Sequence, residues 1–146
     1  MKTKIIRKIL LTVGLMFVLG SAITQVNGEE EKFPVVTIHS TGDVTRDKTG
    51  SFVVNMNPVM FGGAYVKFSV SGTAIPGVDY VNLVGPAHIG QTGYGVILVK
   101  PLPDPRGPSN HQEYSVVVTL EPGPGYQVGE PSSAKMMIRP SSSLGH

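Results

Sequence analysis

The chain has 146 residues, 18 of them glycine and 12 proline, with no cysteine and no tryptophan. That length suits one domain rather than two, and the missing cysteines exclude disulfides, thiol nucleophiles and thiolate metal sites. The formal charge of +2 rests on Lys2, Lys4, Arg7 and Lys8; without them eight basic residues face ten acidic ones, which gives no electrostatic footprint for nucleic acid or anionic lipid.

Residues 1–28 read as a signal peptide. Met1 to Lys8 is basic, Ile9 to Gly20 is apolar, and small residues follow at Ser21 and Ala22. The apolar run is shorter than the roughly 20 residues a membrane span needs. Cleavage is expected after Ala22 or after Gly28, which leaves no membrane span and places the protein outside the cytoplasm: secreted, periplasmic or on the cell surface. An acidic lead-in, 29–34, precedes the folded part at 35–139, and a Ser-rich tail, 140–146, is expected to be disordered.

Seven strands are predicted. Phe33 to His39 is the first, and Ser51 to Asn57 the second, with Phe52, Val54 and Met56 on one face. Ala64 to Val70 follows, with Val66, Phe68 and Val70 inward and Tyr65 outward. A weaker strand near Leu83 to Ile89 precedes Tyr94 to Lys100, whose nearly continuous apolar character predicts a central position. Glu113 to Leu120 and Ser133 to Arg139 complete the set. No window outside the leader keeps a 3.6-residue period. Short strands joined by Gly/Pro turns predict an all-β, seven-stranded antiparallel β-sandwich, immunoglobulin-like in architecture.

Between the third and fourth strands, Ser71 to Tyr80 forms a corner. Pro76-Gly77 has the residue order of a type II turn. Asp79 is expected to leave that turn with its carboxylate free, and Tyr80 to anchor the loop through its ring and polar tip. If successive strands run up and down, the loops at 40–50, 71–80 and 101–112 and the tail after Arg139 share one end. The loops at 58–63, 90–93 and 121–132 share the other. The first end then gathers Asp43, Asp47, Asp79, Asp104 and Glu113, the kind of convergence a hard, oxygen-loving cation needs.

The run Val66 to Ala74, with Gly77-Val78-Asp79-Tyr80, Pro103-Asp104, Val116 to Leu120 and Gly125 to Gly129, resembles the Calx-beta family. The likeness extends from about Val35 to Arg139. It implies a seven-strand sandwich and, by comparison with calcium-binding members, a Ca²⁺ site made by Asp47, Asp79, Asp104 and Glu113. Two departures stand out. The paired acids of the family are reduced to Pro103-Asp104-Pro105-Arg106, and the acidic cluster after the last strand is replaced by Arg139-Pro140-Ser141. A guanidinium from Arg106 or Arg139 is therefore the alternative occupant, pairing with Asp79 or Asp104.

No catalytic constellation is present. His39, His88, His111 and His146 lack metal-ligand spacing, no serine sits in a nucleophile elbow, and no glycine run opens a helix for phosphate. The outward Tyr65 and Tyr94 offer a binding face for sugar or protein. These observations predict a non-enzymatic binding or structural module with a protein or surface partner in adhesion or matrix contact. The alternatives are a subunit that self-assembles through edge strands and an accessory or inhibitor of a secreted enzyme.

Overall fold

The computed structural model describes residues 33–141. The signal peptide, the acids of the lead-in and the tail beyond Ser141 lie outside the described residues. The elements are β1 (Val35–Ser40), β2 (Val44–Thr45), β3 (Gly50–Asn57), β4 (Ala64–Val66), β5 (Phe68–Ser71), β6 (Ala87–Ile89), β7 (Tyr94–Val99), β8 (Tyr114–Leu120), β9 (Gln127–Val128) and β10 (Ser133–Arg139). They form one sheet in the order β9-β1-β3-β7, a second in the order β2-β10-β8-β5, and the two-stranded pair β4-β6.

Side-chain alternation explains why the sheets stack. Along β3, Gly50, Phe52, Val54 and Met56 are buried while the residues between them are more exposed. Val36, Ile38, Phe52, Val54 and Val99 of the first sheet belong to one core with Val116, Val118, Met136 and Ile138 of the second. Each fully buried side chain of this kind contributes about 1.5–3 kcal/mol.

The seven-strand frame is present, with four corrections. The third strand breaks at Lys67, whose N–H donates to the Tyr126 hydroxyl at 3.0 Å and whose carbonyl accepts from Glu121 N–H at 2.9 Å. Those backbone groups go to a loop instead of a ladder, so β4 and β5 join different sheets. The fourth strand starts only at Ala87, because Pro86 has no N–H to donate. Two short strands, β2 and β9, were not foreseen, and both pair in parallel, with β10 and β1 respectively. Finally, β7 is the outermost strand of its sheet rather than a central one. Its apolar run divides into buried Gly95, Ile97 and Val99 and exposed Tyr94, Val96 and Leu98.

Candidate functional site

The corner at 71–80 is built as its residues dictate. Val78 N–H donates to the Ile75 carbonyl at 3.0 Å, and Gly77 takes φ +84°, closing a type II turn around Pro76-Gly77. Asp79 N–H donates to the same carbonyl at 2.8 Å, and Leu102 N–H donates to the Asp79 carbonyl at 2.9 Å. These bonds turn Asp79 toward the interior. Its carboxylate is fully buried, contrary to the expectation of a free one.

Four N–H donors meet that carboxylate. Arg106 is bidentate, Nη1 to Oδ1 at 2.7 Å and Nη2 to Oδ2 at 3.0 Å. Arg46 Nη2 reaches Oδ1 at 2.7 Å, and the Ile75 N–H reaches Oδ2 at 2.8 Å. The Arg46 side chain is itself buried, and its Nη1 donates to the Leu102 carbonyl at 2.8 Å. The Arg106 guanidinium, 30% exposed, stacks on the Tyr114 ring at 4.1 Å. It also bonds Asp104 Oδ1 at 3.0 Å, while Asn110 Nδ2 bonds Asp104 Oδ2 at 2.7 Å and the Tyr114 hydroxyl at 3.1 Å. Loops 40–50, 71–80 and 101–112 are thereby tied together.

The titration shifts follow from these contacts. The Arg106 guanidinium, opposed by burial and helped by Arg46 and the Ile75 N–H, holds Asp79 far below the ordinary carboxylate range. Arg106 is raised in turn by Asp79. At Asp104, burial works toward a higher value, yet the Arg106 N–H, the Asn110 amide and the Arg106 guanidinium outweigh it and the net shift is downward. Tyr80 is raised, first by burial and then by the charge of Asp79. Its ring anchors the corner, but among the described residues its hydroxyl has no hydrogen-bond partner, so the anchoring is apolar.

The four carboxylates expected to form a calcium site do not meet at one point. Asp79 and Asp104 come together, but around guanidinium groups. Asp47 is exposed, lowered chiefly by the Thr45 side chain. Glu113 lies 3.5 Å from Arg139 Nε, in a separate surface cluster where Arg139 Nη2 bonds Asp43 Oδ2 at 2.7 Å. A calcium ion needs six to eight oxygens at about 2.3–2.6 Å. Here both oxygens of Asp79 face N–H donors, and among the described residues no group of three or more His, Asp or Glu is placed to hold a metal.

Of the two arginines named as alternatives, Arg106 sits in the centre and Arg139 does not. Arg46 was missed. Its signal was the two-residue spacing from buried Val44, which puts both side chains on one side of an extended segment. The pairing of β2 with β10, continued by Arg46 N–H to the Arg139 carbonyl at 3.0 Å, fixes that segment. Beside the clamp a groove of about 620 Å³ opens, with Asp47, Pro103, Pro108, His111 and Pro140 among its walls.

The two-sheet sandwich has the Calx-beta fold, as its likeness to solved structures shows. The chain is similar to the apo-form Calx CBD1 domain, with a TM-score of 0.57 and 18% identity, covering 75% of this chain and 99% of that one. It is also similar to CBD12 from CALX1.2, with a TM-score of 0.60 and 17% identity, covering 73% of this chain but only 45% of that one. At such identities the likeness establishes the fold. No protein-family model and no curated protein matches the chain.

Proposed function

We propose that this protein is an exported, non-enzymatic binding or structural module whose loop end is held by arginine instead of calcium. The observation that carries this reading is the Asp79 carboxylate, buried and met by two guanidinium groups and one backbone N–H. Two positive charges from the chain itself stand where a divalent cation would supply two. Loops tied this way are preorganised, so a partner received in the adjoining groove is met without an ordering cost. Export is supported by the basic-then-apolar order of residues 1–20. The lack of a catalytic constellation in the sequence favours recognition over turnover.

Thermal unfolding with and without calcium tests the reading. The expected result is an unchanged melting temperature in millimolar Ca²⁺. A ligand present at 100 times its Kd would add about 2.7 kcal/mol, so a clear, saturable rise would overturn the arginine lock and restore the calcium site.

A further inference from the structure

The first sheet ends on β7, and hydrogen bonds at the two ends of that strand fix which way its backbone groups point. Met56 N–H donates to the Gly93 carbonyl at 2.8 Å, on the β3 side, while Val81 N–H donates to the Lys100 carbonyl at 2.9 Å, on the opposite side. Backbone groups alternate in direction from one strand residue to the next, so Gly95, Ile97 and Val99 face β3. The N–H and C=O groups of Tyr94, Val96 and Leu98 face the other way, along an edge that no strand pairs with among the described residues. Segment 79–81 covers this edge from Lys100 onward: Tyr80 bridges Pro101, and Leu102 N–H donates to the Asp79 carbonyl at 2.9 Å. The open stretch therefore runs from Tyr94 to Leu98 and is centred on Val96.

The other sheet edges are guarded. β9 and β2 are two residues long each, and β5, with four residues, follows directly on Lys67. Short strands and charged side chains are the usual means of keeping an edge from pairing. β7 has six residues, and no Asp, Glu, Lys or Arg lies between Asp79 and Lys100. Its outer side chains, Tyr94, Val96 and Leu98, are each about half exposed. A cleft of about 330 Å³ lies beside Val96 and Leu98, with Leu83, Val84 and Pro86 among its walls, so the edge is within reach of a second chain.

We propose that β7 pairs with β7 of a second copy of this chain, antiparallel about a two-fold axis at Val96. Outward N–H and C=O groups set the chemistry of the partner, which is an extended strand. The side-chain pattern of β7 makes its own copy that strand. Centred on Val96, the pairing sets Val96 against Val96 of the second copy and Tyr94 against Leu98 of the second copy. Apolar side chains then meet apolar ones, no like charges face each other, and the whole open stretch is used, with about six N–H···O bonds. The pairing stops short of Lys100, whose carbonyl is already taken. Moving the axis one residue to Ile97 sets Tyr94 against Lys100 of the second copy, where segment 79–81 of that copy is in the way. The interface is isologous, the same patch on both copies, and it joins the two first sheets into one.

Light scattering of the exported protein over a dilution series is expected to show a dimer that dissociates on dilution. Val96→Lys sets two like charges against each other on the axis and should weaken the dimer about tenfold or more. The chain has no cysteine, so a single introduced thiol can form a disulfide only with another copy. Val96→Cys stands on the axis, where the Cα atoms of a hydrogen-bonded pair lie about 5.5 Å apart, within disulfide reach. Leu98→Cys, four residues out of register with its counterpart, lies about 14 Å from it and should link at least about tenfold more slowly. Both positions are half exposed, so neither thiol disturbs the core. Three results overturn the proposal: a wild type that stays monomeric at every concentration, which leaves the edge to a strand of another protein, a Val96→Lys variant that dimerises as wild type does, or equal linking of the two cysteine variants.

Discussion

At the end formed by loops 40–50, 71–80 and 101–112, charge is turned inward and satisfied, with Asp79, Arg46 and Arg106 binding one another. At the end formed by 58–63 and 90–93, apolar side chains are turned outward, and Phe61 is 95% exposed among the described residues. β3 connects the two, running from Gly50 beside the clamp to Asn57 at the apolar corner. Each end reverses the usual placement of its side chains. The reversal at the clamp is closed within the molecule, since every charge has its partner. At the apolar corner Phe61, Val59 and Met60 stay exposed among the described residues. Where a fold spends interactions on itself and where it leaves them open is thus legible from which groups are satisfied.

Substituting Asp79→Asn breaks the closed end most severely. The amide keeps the shape but removes the negative charge, leaving the buried Arg46 side chain with only the more distant Asp104 carboxylate at 3.8 Å, and losing one partner of a buried pair costs about 3–5 kcal/mol. Urea unfolding at neutral pH measures the loss. Acid sharpens it. The folded-state value of Asp79 lies below its ordinary 3.8, so its stabilisation is fully present above that value and disappears as pH falls through the folded one. The gap between wild type and variant should therefore narrow on acidification below about pH 4. A gap that stays constant would mean that Asp79 acts through shape rather than charge.

Gly63→Ala is the matching break at the open end. Position 63 has φ +77°, and a Cβ there meets the Ile89 carbonyl, so the expected cost is about 1–3 kcal/mol. The turn should loosen while the clamp stays intact. Neutral-pH stability falls by less than in Asp79→Asn, and the acid dependence remains that of wild type. Loss of the acid limb in this variant would show that the two ends are coupled through β3.

The frame of this architecture was readable because strand alternation is local: Phe52, Val54 and Met56 declare an inward face without reference to any other strand. Up-and-down parity then brought Asp79 and Asp104 to one end. What sequence concealed was set by pairing at long range. The same apolar run reads as a central strand or as an edge strand with an exposed face, and only the partner of β7 decides. Lys67 breaks its strand because Tyr126 and Glu121 claim its backbone groups. Arg46 was hidden for a related reason: a two-residue strand has too short a pattern to announce itself. That Asp79 and Asp104 share an end was visible. Which cation they converge on was not, because that depends on which long side chain the loop register turns inward.

The smallest effect is expected at Arg139. It sits at the clamp end and pairs with Asp43 and Glu113, so by residue type it resembles Arg106. The difference is exposure: Arg139 is half exposed, and water screens its pairs. Surface pairs contribute about 0–1 kcal/mol, so Arg139→Ala should shift the urea midpoint slightly and leave the acid limb unchanged. Added salt separates the two kinds of arginine further. The difference between wild type and Arg139→Ala should shrink toward zero in about 1 M salt, where the screening length is about 3 Å. The difference for Asp79→Asn should persist, because water and ions do not reach that carboxylate. If instead both differences vanish together, the clamp is screened like a surface pair, and the contrast between the two ends rests on the apolar corner alone.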